Sequence, residues 1–302
     1  MFVTPRQSTT VILVREKSSK GFEVFLVRRH DASAFMGGNY VYPGGAVDPA
    51  DQSPDVLPFC RGLSPEETSE ILGVSHPEES VAYWIASIRE LFEEAGILLG
   101  CGAEGEILSS LTHIGQEKLF HYRDSLHRKD LSLIHLAQQE RFFLALDQLH
   151  YYAHWITPEA RSIRFDTRFF VALLPSGQEA SHDRKETTHG LWITPRQALE
   201  GNSEKKLVLS PPTLITLEDL SRFDSVDRLM KSLHERKTSP ILPILIKGPP
   251  QTFIVFPWDP DYAAFERKEI HGVIDHGNPS KPGDSTTRVI LQEGFWCPYC
   301  RT

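Results

Sequence analysis

The chain has 302 residues, 40% hydrophobic and 24% charged, with a formal charge of −8. These proportions suit a soluble globular protein, no run approaches the ~18 consecutive apolar residues of a membrane span, and the negative charge opposes general attraction to nucleic acid or acidic membranes. Four scattered cysteines are too few for a disulfide-built fold, and the first apolar run is far shorter than a signal-peptide core, so a cytoplasmic location is expected.

Residues 9–14 and 22–28 are apolar and β-branched around a polar stretch at 16–21, which predicts an antiparallel pair. A short strand at 39–42 stops at Pro43-Gly44-Gly45. The stretch from Asp48 to His76 is rich in Pro, Ser and acidic residues and reads as an excursion with a short helix at 65–72. Ser75 and Glu78 have capping-box spacing around Pro77, so a helix should start there and stop at Gly96. Residues 116–145 read as largely helical, 151–156 and 165–173 as strands, and 190–194 as a strand leading into a helix at 195–199. Beyond Ser210-Pro211-Pro212, two helical stretches run to about 237, and a β-rich segment with runs at 241–246, 252–256 and 287–291 follows.

The helix ending at Gly96 carries the most chemistry. At ~100° per residue, Trp84, Ile85, Ile88, Leu91, Phe92 and Ala95 share a core-facing arc, while Glu90, Glu93 and Glu94 fall on the opposite side. The ordinary reading of such a cluster is a solvated face, but two local rules oppose it. Glu90 and Glu94 are like charges at i,i+4, and Glu93 and Glu94 sit in the last turn, where the helix dipole disfavours anions. No basic residue follows within a turn. Oxygen ligands at this density suit Mg²⁺ or Mn²⁺.

Arg89-Glu90-Leu91-Phe92-Glu93-Glu94-Ala95-Gly96-Ile97 resembles the second half of the Nudix box at every defined position. The first half normally places glycine 14 residues before the arginine, but Gly45 precedes Arg89 by 44, so the box holds 30 extra residues. Counting eight back from Arg89 gives Val81 where the box has glutamate, with Glu79 the nearest acid, and leaves the arginine's ion-pair partner open. An interrupted box after a Pro-Gly-Gly-x-x-Asp segment, here Pro43 to Asp48, is similar to the Nudix branch that contains the peroxisomal coenzyme A diphosphatase. Trp155-Ile156-Thr157-Pro158, the run from Arg164 to Phe170, and Lys185-Glu186 ahead of Trp192 support that branch, and the resemblance spans about 10–198.

The resemblance implies an α/β fold, the Nudix α/β/α sandwich with a mixed sheet. The Nudix domain is expected at 5–205 with an insertion at about 49–76, and a helical then β-rich extension at 206–302. It implies metal-assisted hydrolysis of a diphosphate in a nucleotide-containing substrate. Glu90, Glu93, Glu94 and the Gly44 carbonyl map onto the metal shell. Glu90, Arg89 and Glu186 take catalytic roles, with Glu186 as an acid from outside the box. Arg28 and Arg29, at the end of the second strand, are candidate phosphate contacts on an otherwise acidic chain. Branch membership favours coenzyme A or an acyl derivative. ADP-ribose, NADH and dinucleoside polyphosphates stay open as substrates, as do a non-catalytic nucleotide-binding scaffold and a homodimer. Cys297-Pro298-Tyr299-Cys300 has zinc half-site spacing, but only two residues follow it in this sequence, too few for a redox helix.

Overall fold

The structure, a computed structural model, describes residues 3–17, 21–109, 114–248, 251–270, 277–280 and 283–301. Strand β1 (Arg6–Glu16) runs parallel to the strand Phe165–Leu173, from Arg6 opposite Phe165 to Val14 opposite Leu173. Its alternating side chains supply two cores at once: Val11 and Leu13 face one side of the sheet, Ile12 and Val14 the other. Strand β2 (Phe22–Arg29) meets β1 only near their shared turn, with Val14 opposite Val24. The centre of the turn expected there, 18–20, lies outside the described residues.

Past that turn β2 pairs on one side with Thr187–Ile193 and on the other with β3 (Tyr40–Val41). The gap left beside β1 is filled by the chain after β3. Val11 N–H donates to the Pro43 carbonyl at 2.8 Å and Thr9 N–H to the Gly45 carbonyl at 2.9 Å. The divergence of β1 from β2 thereby lays Gly44-Gly45 along β1. His150–Ile156, antiparallel to Phe165–Leu173, and Pro240–Ile241 at the edge complete a mixed seven-stranded sheet.

Helices cover both faces. α1 (Pro65–Leu72) and α2 (Pro77–Ala95) pack with Val11, Phe25, Val27 and Phe170, while Pro195–Ser203, Pro211–Leu220 and Val226–His234 pack with Ile12, Val24, Leu26 and Phe169. This is the expected α/β/α sandwich. α1 has the expected bounds and carries a capping box: Glu67 N–H donates to Ser64 Oγ at 3.2 Å and Ser64 N–H to Glu67 Oε2 at 2.7 Å.

α2 begins differently from the expectation. Its N-cap is His76, without a side-chain cap, so Ser75 is one residue too early to cap. Pro77, with its fixed φ, fills the first helical position and sets the start. Gly96 ends the helix at φ +72° with its N–H on the Phe92 carbonyl, as expected. The 116–145 stretch is two helices, Gln116–His127 and Leu133–Glu140, followed by the strand Phe143–Ala145, which pairs with Cys60–Arg61 and Gly100–Cys101. Long-range pairing overrides helix propensity at its end.

The C-terminal β-rich segment forms a five-stranded antiparallel sheet among the described residues. Arg288–Gln292 is paired to Phe295–Cys300, a hairpin partner that the apolar runs did not reveal. Asn202 Nδ2 donates to the Trp296 carbonyl at 3.0 Å and ties this sheet to the sandwich. Cys297 and Cys300 lie three apart on this last strand, so their side chains leave opposite faces instead of converging. No helix among the described residues is long and apolar enough to cross a membrane.

Candidate active site

The box arginine organises the site. Arg89 is 8% exposed, and its Nε and Nη2 donate to Asp51 Oδ1 and Oδ2 at 3.0 and 2.8 Å. Its Nη1 donates to Glu90 Oε1 at 2.7 Å and Glu93 Oε1 at 3.3 Å, and Nη2 also reaches the Ala46 carbonyl at 2.8 Å. The fork geometry of guanidinium suits this bidentate contact with Asp51. Asp51, 3% exposed, is the partner that the backward count from Arg89 did not find. Val81 points into the core at 1% exposed, and Glu79 is exposed. Counting forward from Gly45 reaches Asp51 at the sixth residue, where the box has its first acid, so the extra length enters after Asp51.

The three glutamates of α2 share a face, as the helical spacing predicts, but that face is not solvated. Glu93 and Glu94 are 8% and 3% exposed, and the Glu90 side chain is 12% exposed. The Gly44-Gly45 segment covers Glu90 and Glu94. Gly44 N–H donates to Glu94 Oε2 at 2.9 Å, and a Cβ on Gly45 would lie 2.4–2.6 Å from the Glu90 carboxylate, so only glycine permits this approach. Burial pushes the Glu90 carboxyl up to about 7, with Arg89 pulling down and Glu93 pushing further up. Burial raises Glu93 against the pull of Arg89. Glu94 is raised well above the usual range by burial and by Glu90, opposed by Arg29 and the Gly44 N–H.

One guanidinium thus serves three carboxylates, with a fourth beside them, leaving an excess of desolvated negative charge. Glu90 and Glu93 are turned toward Arg89 and Glu94 toward Gly44, and among the described residues no three acidic, His or Cys side chains converge as a ready-made cage. The donor set is oxygen only and over-supplied with charge, which fits a hard divalent cation. The Pro43 and Gly45 carbonyls are taken up by β1, which leaves the intervening Gly44 carbonyl outside that ladder.

Glu186 comes to the same place from another element. The Asp183 carboxylate accepts the backbone N–H groups of Lys185, Glu186 and Thr187 at 2.9–3.1 Å, which fixes the turn, while the Glu186 side chain is 52% exposed. His127, which the sequence reading did not single out, stands between the acids, with Nδ1 3.8 Å from Glu93 and Nε2 3.6 Å from Glu186. The two arginine candidates separate. Arg29 acts on Glu94 and its Nε is buried without a hydrogen-bond partner, whereas Arg28 is engaged by Asp31 at 2.6 Å and Thr188 at 3.3 Å.

The site therefore combines an acidic helix, a glycine loop and an arginine in a sandwich fold. The family model described as the NUDT19 Nudix domain matches residues 5–222. The chain belongs to this family of Nudix hydrolases. Among its relatives, the acyl-coenzyme A diphosphatase NUDT19 of Xenopus laevis is 28% identical over 317 residues, covering 93% of this chain and 83% of that one. The Homo sapiens protein of that name is 29% identical over 256 residues, covering 75% and 68%. The crystal structure of a NUDIX hydrolase from Alicyclobacillus acidocaldarius superposes with a TM-score of 0.64 over 76% of this chain and 97% of that chain, at 24% identity, a likeness of fold.

Proposed function

We propose that this Nudix chain hydrolyses the diphosphate of coenzyme A or an acyl-coenzyme A, giving adenosine 3′,5′-bisphosphate and a phosphopantetheine fragment, with Mg²⁺ or Mn²⁺ held by Glu90, Glu93, Glu94 and the Gly44 carbonyl. The observation that carries this reading is the buried carboxylate excess around Arg89, in a chain whose relatives bear the name acyl-coenzyme A diphosphatase. When bound, the cation supplies neutralisation of charge on the phosphoryl oxygens. Arg89 orients Glu90 and Glu93 and holds their backbone helix against Asp51. Glu186, exposed at the rim on a fixed turn, takes the proton of the attacking water. Arg29, whose charge acts on Glu94 at the acidic face, is assigned contact with a phosphate oxygen.

The 3′-phosphate needs a cation of its own. Lys185 is paired with Asp124, and Arg61 is laid over the Phe143 ring with its Nη1 on the Pro58 and Cys60 carbonyls. Arg184 is exposed, two residues before Glu186, and makes no ion pair among the described residues, so we assign it this contact.

The test is a panel of coenzyme A, 3′-dephospho-coenzyme A, ADP-ribose and NADH with Mg²⁺ or Mn²⁺ and mass identification of products. The expected kcat/KM for coenzyme A exceeds that for the 3′-dephospho form by about tenfold or more, the equivalent of one charged hydrogen bond. Arg184→Ala should shrink that ratio without altering the rate on ADP-ribose. ADP-ribose or NADH winning by tenfold sinks the coenzyme A assignment, and silence across the panel sinks hydrolysis of a diphosphate.

A further inference from the structure

The last turn of α2 bears anions where a helix dipole disfavours them, and no basic residue follows within a turn. The compensating cation comes from the helix Gln116–His127. Arg123 donates from Nε and Nη2 to the Glu93 carbonyl at 3.2 and 3.0 Å, and from Nη2 and Nη1 to the Ser181 carbonyl and Oγ at 2.8 and 3.1 Å. Among the described residues it makes no ion pair, so its charge is directed at backbone carbonyls. Ser181 N–H returns to the Ala95 carbonyl at 2.8 Å, doubling the link. Two residues on, Asp183 fixes the turn that presents Glu186. Helix Gln116–His127 is tied to the same turn again by Asp124 and Lys185.

We propose that Arg123 is a positioning residue that holds the α2 acids and Glu186 in one register, by cross-linking the α2 C-terminus to the 181–187 turn. Gly96 is part of the device. A Cβ there would stand 2.9 Å from Arg123 Nη1, so the box glycine provides clearance for this guanidinium in addition to its φ of +72°. Arg123 acts through other groups and touches no reacting atom. The cross-link also explains how a rim acid on a separate loop can work with buried acids on a helix: both are referenced to one planar group.

This rests on the proposed function for its Mn²⁺ and kinetic arms, and the exchange arm is independent of it. Wild type, Arg123→Gln and Arg123→Lys are compared by Mn²⁺ binding, read from free Mn²⁺ by electron paramagnetic resonance, and by amide exchange over 181–187. The expected result for Arg123→Gln is at least tenfold weaker Mn²⁺ binding and faster exchange at 181–187, with Arg123→Lys recovering part of both. On the best diphosphate substrate, kcat falls at least tenfold with KM within threefold, and the loss combines with that of Glu186→Gln less than multiplicatively. A wild type that binds Mn²⁺ but cleaves nothing overturns the diphosphatase reading and leaves the binding and exchange arms in force. Folded Arg123→Gln with Mn²⁺ affinity and exchange within twofold of wild type overturns the cross-link. If Arg123→Gln does not fold, Arg123→Lys decides, and wild-type exchange and Mn²⁺ affinity in that variant overturn the proposal.

Discussion

Burying Arg89 removes its hydration, and the oxygens of Asp51, Glu90, Glu93 and Ala46 replace it. Removing Asp51 leaves a guanidinium with two carboxylates already needed elsewhere. Asp51→Ala should therefore lower the unfolding free energy by about 3–5 kcal/mol, the usual cost of breaking a buried pair. Denaturant titration measures it, and a loss below about 1 kcal/mol would show that Glu90 and Glu93 suffice. Glu93→Gln and Glu94→Gln should reduce kcat by orders of magnitude, and because both acids are buried and charge-crowded, neither should destabilise the fold. Wild-type turnover of both variants in saturating Mg²⁺ would remove them from the metal shell. The acids on α2 were readable because helical spacing and a dense motif fix them locally. Asp51 was readable too, by counting forward from Gly45, since the interruption displaces everything counted backward from Arg89. Arg123 and His127 carry no local signal, because their roles depend on where a helix some 30 residues later comes to rest.

The loop from β3 to α2 and α2 itself form one unit, and two adjacent glycines test it in opposite ways. At Gly44 a Cβ would meet the Thr9 carbonyl at 2.3 Å and Thr10 Cα at 2.7 Å, which are backbone atoms of a central strand. At Gly45 the obstacle is the end of the Glu90 side chain. Gly44→Ala should depress the melting temperature, whereas Gly45→Ala should keep it within a few degrees and lose most of its turnover as Glu90 is displaced. Equal stability for the two variants would contradict this division. Elements with their own punctuation were legible at this scale: α1 between Ser64 and Gly73, and the end of α2 at Gly96. At the start of α2 the expected first-turn proline is in place, whereas the Ser75–Glu78 capping-box spacing is not used, because Pro77 takes the first helical position and leaves Ser75 one residue before the N-cap. Burial of the acidic face could not be read from its helix, since the cover comes from the Gly44-Gly45 segment.

At the scale of the molecule, the helices Pro211–Leu220 and Val226–His234 supply the second face of the sheet with Leu214, Leu217 and Leu229, all 0% exposed. A domain ending at 205 would leave that face covered by Pro195–Ser203 alone, so we propose that the folding unit extends through these helices. A chain truncated after 205 should aggregate where one truncated after 238 does not, and a monomeric, cooperatively melting 1–205 would refute this. Glu218, on the first of these helices, is pushed up to about 7 by burial, with Thr286 and Arg222 pulling it down and Asp284 adding to the rise. A folded pKa above the unfolded value near 4.5 means that the stabilising protonated form is fully present below 4.5 and lost as pH rises through 7. Between pH 5 and 8 the wild type should lose on the order of 1–3 kcal/mol relative to Glu218→Gln, and parallel stability curves for the two proteins would exclude this.

The parallel pairing of β1 with Phe165–Leu173 sets a schedule for synthesis. Arg6 to Val14 cannot acquire those partners until the chain has grown past residue 173, more than 150 residues later. Emerging at 5–20 residues per second, β1 waits roughly ten seconds or longer as an apolar strand with one edge unoccupied. A nascent chain stalled anywhere in that interval offers its most β-prone segment to any neighbour, so chaperone contacts should concentrate on the first strand and fall away once residue 173 has cleared the exit tunnel.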